Sequence, residues 1–236
     1  MNDTKNLIEQ QEIIKQRFFQ IKSQIEEKIK SKKSNTVNSI KIFPKIALAT
    51  KTQPPEYIEP LLKIGHRCFA ENKVQEAYNK WPLFRQDYSD IDLHLIGPLQ
   101  TNKIKQALTL FDVIETIDRI SLAESMAVLL KKNPKKIKFL IQVNTGNEPQ
   151  KSGVKLNDTE YFIDFCLKKL ALPIVGLMCI PPYGQNPIPH FKLLADLAHK
   201  YKFQELSMGM SNDFLQALDA GATEVRIGTA IFGLRK

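Results

Sequence analysis

Short apolar runs alternating with helical stretches dominate this sequence and limit the folds open to it. Eight runs fall at 45–51, 67–70, 92–97, 112–117, 139–144, 174–180, 205–209 and 224–228. Helical patterns lie between them at 55–64, 73–81, 99–108, 119–131, 158–170, 189–200 and 212–219. Strands that alternate with helices through short connections are the signature of repeated βα units. Alternation alone fits both an open doubly wound sheet and a closed barrel. The count of eight favours closure, so the expected fold is α/β, a (βα)8 TIM barrel forming one domain over residues 40–236.

Ahead of the barrel, Leu7, Ile14, Phe18, Ile21, Ile25 and Ile29 recur at helical spacing with charges between them. That pattern predicts an amphipathic helix within residues 1–33, its one apolar stripe laid on the barrel. The polar stretch 34–39 has no period and reads as a connector.

A formal charge of +9 and a pI near 9.3 favour anionic ligands. The basic residues are spread along the chain, in clusters such as Lys135-Lys136 and Lys168-Lys169. They lack the interleaving with aromatics that marks a nucleic-acid groove, so nucleic acid is not expected as a partner. A phosphorylated small molecule needs only one local positive site. The three cysteines, Cys68, Cys166 and Cys179, form no CxxC pair, and their odd number does not suit a disulfide framework. His66, His94, His190 and His199 show no metal-ligand spacing, and no metal is expected. The N-terminus carries acids and amides where a signal peptide would be apolar, and no run approaches the roughly 20 residues of a membrane span. The expectation is a cytoplasmic monomer with no membrane partner.

Three constellations carry chemistry. In the first run Ala47, Ala49 and Lys51 share one strand face, while Ile46, Leu48 and Thr50 share the other. With the larger apolar residues toward the helices, two small alanines lie beneath a lysine at the barrel mouth, where barrel enzymes place their reactive groups. A partly buried lysine has a lowered pKa and can attack an aldehyde, although lysines also simply end strands. In the last run the same alternation turns Arg226 inward, followed by Gly228 and by Thr229 at the start of a helical turn. The preceding unit offers Gly209, Met210 and Ser211, with a helix start at Asn212. Two such turns in neighbouring units, with Arg226 between them, form an anion site suited to phosphate. The third constellation follows the second and third runs. Asn72 has the inward parity of Cys68 and Ala70; His94 reads as a hydrogen-bonded interior histidine; Gln100, Asn102 and Lys103 read as helix-opening residues.

With these residues in place, the sequence resembles the pyridoxal phosphate homeostasis protein family. The matching segments are Leu48-Ala49-Thr50-Lys51-Thr52, Glu71-Asn72-Lys73-Val74-Gln75-Glu76 and the run from His94 to Lys103. Further matches are Ile141-Gln142-Val143-Asn144, Lys151-Ser152-Gly153, Gly176-Leu177-Met178, the run from Leu206 to Ser211 and the run from Val225 to Gly233. They occur in family order across nearly the whole chain after the first helix. The resemblance implies a barrel like the alanine racemase N-terminal domain and pyridoxal 5'-phosphate (PLP) as cofactor, held as a Schiff base on Lys51. It further implies Arg226 near the pyridine nitrogen, Ser211, Gly228 and Thr229 around the phosphate, and Asn72 and Met210 beside the ring. Ala70 departs from the family, where many members have glycine; one methyl group near the cofactor's edge is the difference.

The family is regarded as a regulator of vitamin B6 and amino-acid pools without established turnover, and PLP-dependent apoenzymes are the implied recipients. The chemistry of the residues points the same way. An arginine is always charged and only donates, so Arg226 beside the ring nitrogen keeps that nitrogen unprotonated and the electron sink shallow. A racemase also needs an acid/base on the opposite ring face, and the chain ends at Lys236, just after the barrel closes. The expectation is a carrier without catalytic residues; the alternative is a single-domain racemase-like enzyme.

Overall fold

The structure is a computed structural model and describes residues 2–33 and 43–233; the connector at 34–39 lies outside the described residues. Eight parallel strands close on themselves. They are β1 (Lys45–Ala49), β2 (Cys68–Glu71), β3 (Asp92–Leu95), β4 (Val113–Ile117), β5 (Lys138–Asn144), β7 (Ile174–Cys179), β8 (Glu205–Met210) and β9 (Glu224–Ile227). Each pairs with the next, and β9 returns to β1 with Ala47 opposite Arg226. A ninth, two-residue strand, β6 (Val154–Lys155), lies beside the end of β5 and outside the barrel count.

The helices are α1 (Asn2–Lys33), α2 (Pro55–Lys63), α3 (Val74–Asp87), α4 (Ile104–Leu110), α5 (Ile120–Lys132), α6 (Leu156–Asp164), α7 (Ile188–Lys200), α8 (Phe214–Asp219) and α9 (Thr229–Phe232). Strand parity sorts the core into two regions. Ile46, Leu48, Phe69, Leu93, Ile114, Ile141, Leu177, Val225 and Ile227 join the layer between sheet and helices. Val113, Leu140 and Met178 form a small separate apolar cluster, with Val175 and Ile180 against it. The rest of the enclosed space holds polar side chains and small alanines such as Ala47 and Ala70.

The last helix, α9, is only four residues long and leaves a gap in the outer ring. The N-terminal helix α1 packs against α2, α8 and α9 and covers that gap. Its stripe of Ile14, Phe18, Ile21 and Ile25 is buried, and Arg17 Nη1 donates to the Ile231 carbonyl at 3.2 Å. Phe18 meets the His66 ring edge-on at 4.9 Å, and His66 in turn meets Phe69 at 5.0 Å.

Three local expectations need correction. The first strand stops at Ala49, and Lys51 sits two residues beyond it in a turn, because Thr52 takes a left-handed backbone with φ 63°. Helix α3 runs on through Pro82 to Asp87, beyond the 73–81 read from the sequence; Trp81 and Phe84 continue its apolar face, their rings 5.6 Å apart. The turn after β8 delays α8 to Phe214, with Asn212 still in the turn and Asp213 Oδ1 accepting the Met210 amide at 2.5 Å.

Candidate functional site

A cleft of about 520 Å³ opens at the C-terminal mouth of the barrel. All seven residues singled out in the sequence, Lys51, Asn72, Met210, Ser211, Arg226, Gly228 and Thr229, line it. They come from four separate βα units, so the barrel's closure is what brings them together. The β1 and β9 contributions are adjacent because those strands pair.

Arg226 is 3% exposed and its guanidinium is fixed from behind. Nη1 donates to Ser207 Oγ at 2.6 Å, and Nη2 donates to the Cys179 carbonyl at 2.8 Å. A guanidinium has five N–H donors, so this anchoring leaves donors for a ligand in the cleft. Ser211 Oγ sits opposite the turn that opens α9 and accepts from the Gly228 amide at 3.4 Å and the Ala230 amide at 3.2 Å. One hydroxyl thus marks the point where two backbone amides converge, which is the geometry of an oxyanion cradle. Gly228 runs beside β1: a Cβ there would stand 3.4 Å from the Ala49 methyl, at the edge of ordinary contact.

Asn72 is placed by a close backbone approach. Gly97 passes so near that a Cβ on it would lie 2.1 Å from the Asn72 carbonyl oxygen. The Asn72 side chain lines the cleft with its Oδ1 buried and without a hydrogen-bond partner among the described residues. A buried acceptor without a donor is costly, and a ligand hydroxyl or N–H at that point would supply one.

Beneath the cleft the barrel holds a charged network that strand parity indicated only in part. Buried His94 donates from Nδ1 to Glu115 Oε1 at 2.8 Å, with Glu224 Oε2 at 3.3 Å, and its Nε2 faces Asp92 Oδ1 at 3.2 Å. Burial disfavours charge on this ring, but Glu224, Cys68 and Asp92 outweigh it and raise its pKa well above the usual value. Burial and the neighbouring Glu224 push Glu115 up to about 7, against the pull of His94 and Arg226. Burial likewise works against Glu224, yet His94 holds it down at about 2. Lys45 closes the lower end at 2.9 Å from Asp92. Asp92, Glu115 and Glu224 therefore face the basic groups of Lys45, His94 and Arg226. His94 is an interior hydrogen-bonded histidine, as its sequence context indicated. Cys68, Asp92 and His94 come within 4.8 Å of one another, a closeness their sequence spacing did not show. The short His94–Asp92 contact is that of a donated hydrogen bond.

Other cleft residues escaped notice in the sequence. The loop after β7 supplies Pro181, Pro182 and Tyr183, the last 98% exposed at the rim. Lys151 also reaches the cleft, with Nζ 2.6 Å from Glu148 and 3.4 Å from the Pro181 carbonyl. The Pro-Pro-Tyr-Gly turn was the available signal for the first group; Lys151 belongs to a matching segment but had no assigned position.

The family described as alanine racemase, N-terminal domain, matches residues 48–236. The pyridoxal phosphate homeostasis protein of Aquifex aeolicus is 38% identical over 201 residues, 81% of this chain and 87% of that one. The human protein of the same name is 35% identical over 214 residues, covering 82% and 78%. The chain belongs to the pyridoxal phosphate homeostasis protein family. Solved structures agree with this membership. PipY of Synechococcus elongatus, in a structure with PLP bound, is 31% identical, with a TM-score of 0.73 over 89% of this chain and 100% of that one. An alanine racemase of Clostridium difficile, 13% identical, superposes with a TM-score of 0.66 over 83% of this chain and 53% of its own, a likeness of fold. Family relatives are named for homeostasis of the cofactor rather than for a reaction catalysed. Among the described residues no helix is long and apolar enough to cross a membrane.

Proposed function

We propose that this family member binds PLP in the cleft at the barrel mouth and carries it covalently on Lys51. The observation that supports this most is the placement of a lysine, an anchored arginine and two converging amides around one cleft of about 520 Å³. Cofactor chemistry needs each of them: an amine for the aldehyde, a donor for the ring nitrogen and a cradle for the phosphate. When bound, PLP supplies an aldehyde carbon and a conjugated ring able to delocalise electrons.

The residues divide the work. Lys51 presents its amine to the aldehyde. Arg226, held by Ser207 and Cys179, directs donors at the ring nitrogen and excludes a proton from it. Ser211, Gly228 and Thr229 would hold the phosphate, and the Asn72 Oδ1 would accept a hydrogen bond from a donor on the ring. Met210, 38% exposed at the cleft, would pack beside the ring. An unprotonated ring nitrogen makes a weak electron sink, which favours holding the cofactor over transforming amino acids. The role that follows is a cytoplasmic, monomeric carrier that buffers vitamin B6 and amino-acid pools and passes PLP to dependent apoenzymes.

The test compares two rates on PLP-loaded protein. Transfer of PLP to an added apoenzyme should outpace conversion of any amino acid in a panel. Sustained amino-acid turnover near about 1 per second, within the ordinary enzymatic range, would instead support a racemase-like enzyme.

A further inference from the structure

Behind Lys51, on the side of the sheet facing the helices, lies a second buried charge network. Glu71 is fully buried and Lys80 is 8% exposed. The Lys80 ammonium donates to the Thr50 carbonyl at 2.9 Å, to Glu71 Oε1 at 2.9 Å and to Glu76 Oε1 at 3.1 Å. An ammonium has three protons, and all three are used. Glu71 Oε1 also accepts from Thr50 Oγ1 at 2.8 Å and from Trp81 Nε1 at 3.0 Å. Glu76 Oε1 further accepts the Thr52 amide at 2.5 Å.

The network therefore holds both residues that flank Lys51. Thr50 is fixed through its hydroxyl and its carbonyl. Thr52 is fixed through its amide in a left-handed conformation, φ 63°, that a β-branched residue rarely adopts. A free strand end would not hold such a turn; here a buried ion pair and a carboxylate on α3 over-determine it. Burying an ammonium and a carboxylate is costly unless every donor is matched. An apolar filling would pack α3 on the sheet as well, so packing alone does not account for these residues.

We propose that Lys80, with Glu71 and Glu76, is a positioning unit that fixes the turn carrying Lys51 and so sets how readily its amine bonds to an aldehyde ligand. This rests on the reading of Lys51 as the reactive amine. In that bond the lysine nitrogen replaces the carbonyl oxygen, which leaves as one water, with no change of oxidation state. The unit lies behind the turn and acts through Lys51, without touching the ligand.

A double-substitution cycle separates positioning from general structure. PLP affinity is measured by equilibrium dialysis in the wild type, Lys80→Met, Lys51→Ala and the double variant. Pyridoxine 5'-phosphate, which lacks the aldehyde, serves as a second ligand in the first two. Lys80→Met should weaken PLP roughly tenfold when Lys51 is present, and less than about twofold when it is alanine or when the ligand has no aldehyde. Glu76→Gln, at the more exposed end of the network, should give the same pattern with a smaller factor and serves if Lys80→Met does not fold. Equal losses in both backgrounds, or no loss with Lys51 present, would overturn the positioning role. Borohydride labelling of the wild type away from Lys51 would instead overturn the reading on which it rests.

Discussion

Arg226 donates from Nη1 to the Ser207 hydroxyl at 2.6 Å, and that hydroxyl donates onward to Glu115 Oε2 at 2.5 Å. The serine is a hydrogen-bonded link between the arginine at the cleft and a carboxylate beneath it, shorter than the direct 3.9 Å ion pair of Arg226 with Glu115. Ser207→Ala should leave two buried charged groups each short of a partner. The expected loss of stability is about 1–3 kcal/mol, measured by urea unfolding, together with weaker PLP binding. Full stability with unchanged affinity would show that Arg226 does not depend on this serine.

The phosphate cradle gives a second expectation. Ser211 Oγ already meets two amides, and Thr229 stands at the same turn. Each hydroxyl lost to Ser211→Ala or Thr229→Val removes one charge-assisted hydrogen bond, worth about 1.5–3 kcal/mol. PLP affinity should fall roughly ten- to a hundredfold for each, while pyridoxal without its phosphate should bind equally to both proteins. Unchanged PLP affinity in the double variant would place the phosphate elsewhere.

Acid stability should report the docking of α1. Burial under Phe18 lowers the His66 pKa from 6.5 to about 4, only partly offset by its hydrogen bond to the Cys68 carbonyl. A base whose folded pKa is depressed contributes its full stability above pH 6.5 and loses it as pH falls toward 4. From this residue the loss is about 2 kcal/mol by pH 5. His66→Gln, which does not titrate, should lose less stability between pH 7 and pH 5 by that amount. Equal slopes in the two proteins would contradict the burial of a neutral His66.

Burial pushes the thiols of Cys166 and Cys179 up to about 12, with Arg226 opposing it at Cys179. At pH 8 about one thiol in ten thousand would be thiolate, and the thiolate is the reactive form. Iodoacetamide should leave both unmodified in the native protein and label both in urea. Rapid native labelling of either, read by mass spectrometry, would contradict that environment.

The barrel was legible because two periods, one of strands and one of helices, switch at regular intervals along the chain. Parity carried the argument further: turning Ile46 and Leu48 outward turned Ala47 and Ala49 inward, and the same step put Arg226 inside. What parity does not give is the partner of an inward charge. His94, Glu115 and Glu224 lie on three strands, and only closure through β9 and β1 brings them together. Glu71 shows the converse difficulty. A carboxylate at a strand end reads as exposed, yet Lys80 and Trp81 on α3 enclose it. Helix α3 outran the 73–81 read from the sequence because its apolar face outweighed the one backbone donor missing at Pro82.

The central claim is that Lys51 carries the cofactor, and the direct measurement is the site of covalent fixation. The protein is loaded with PLP, reduced with borohydride, digested and mapped by mass spectrometry. The account predicts a single reduced adduct on the peptide containing Lys51, lost in Lys51→Ala, which still retains PLP weakly through the phosphate contacts. An adduct lying wholly on Lys73, Lys103 or Lys151, with Lys51 unmodified, would contradict it.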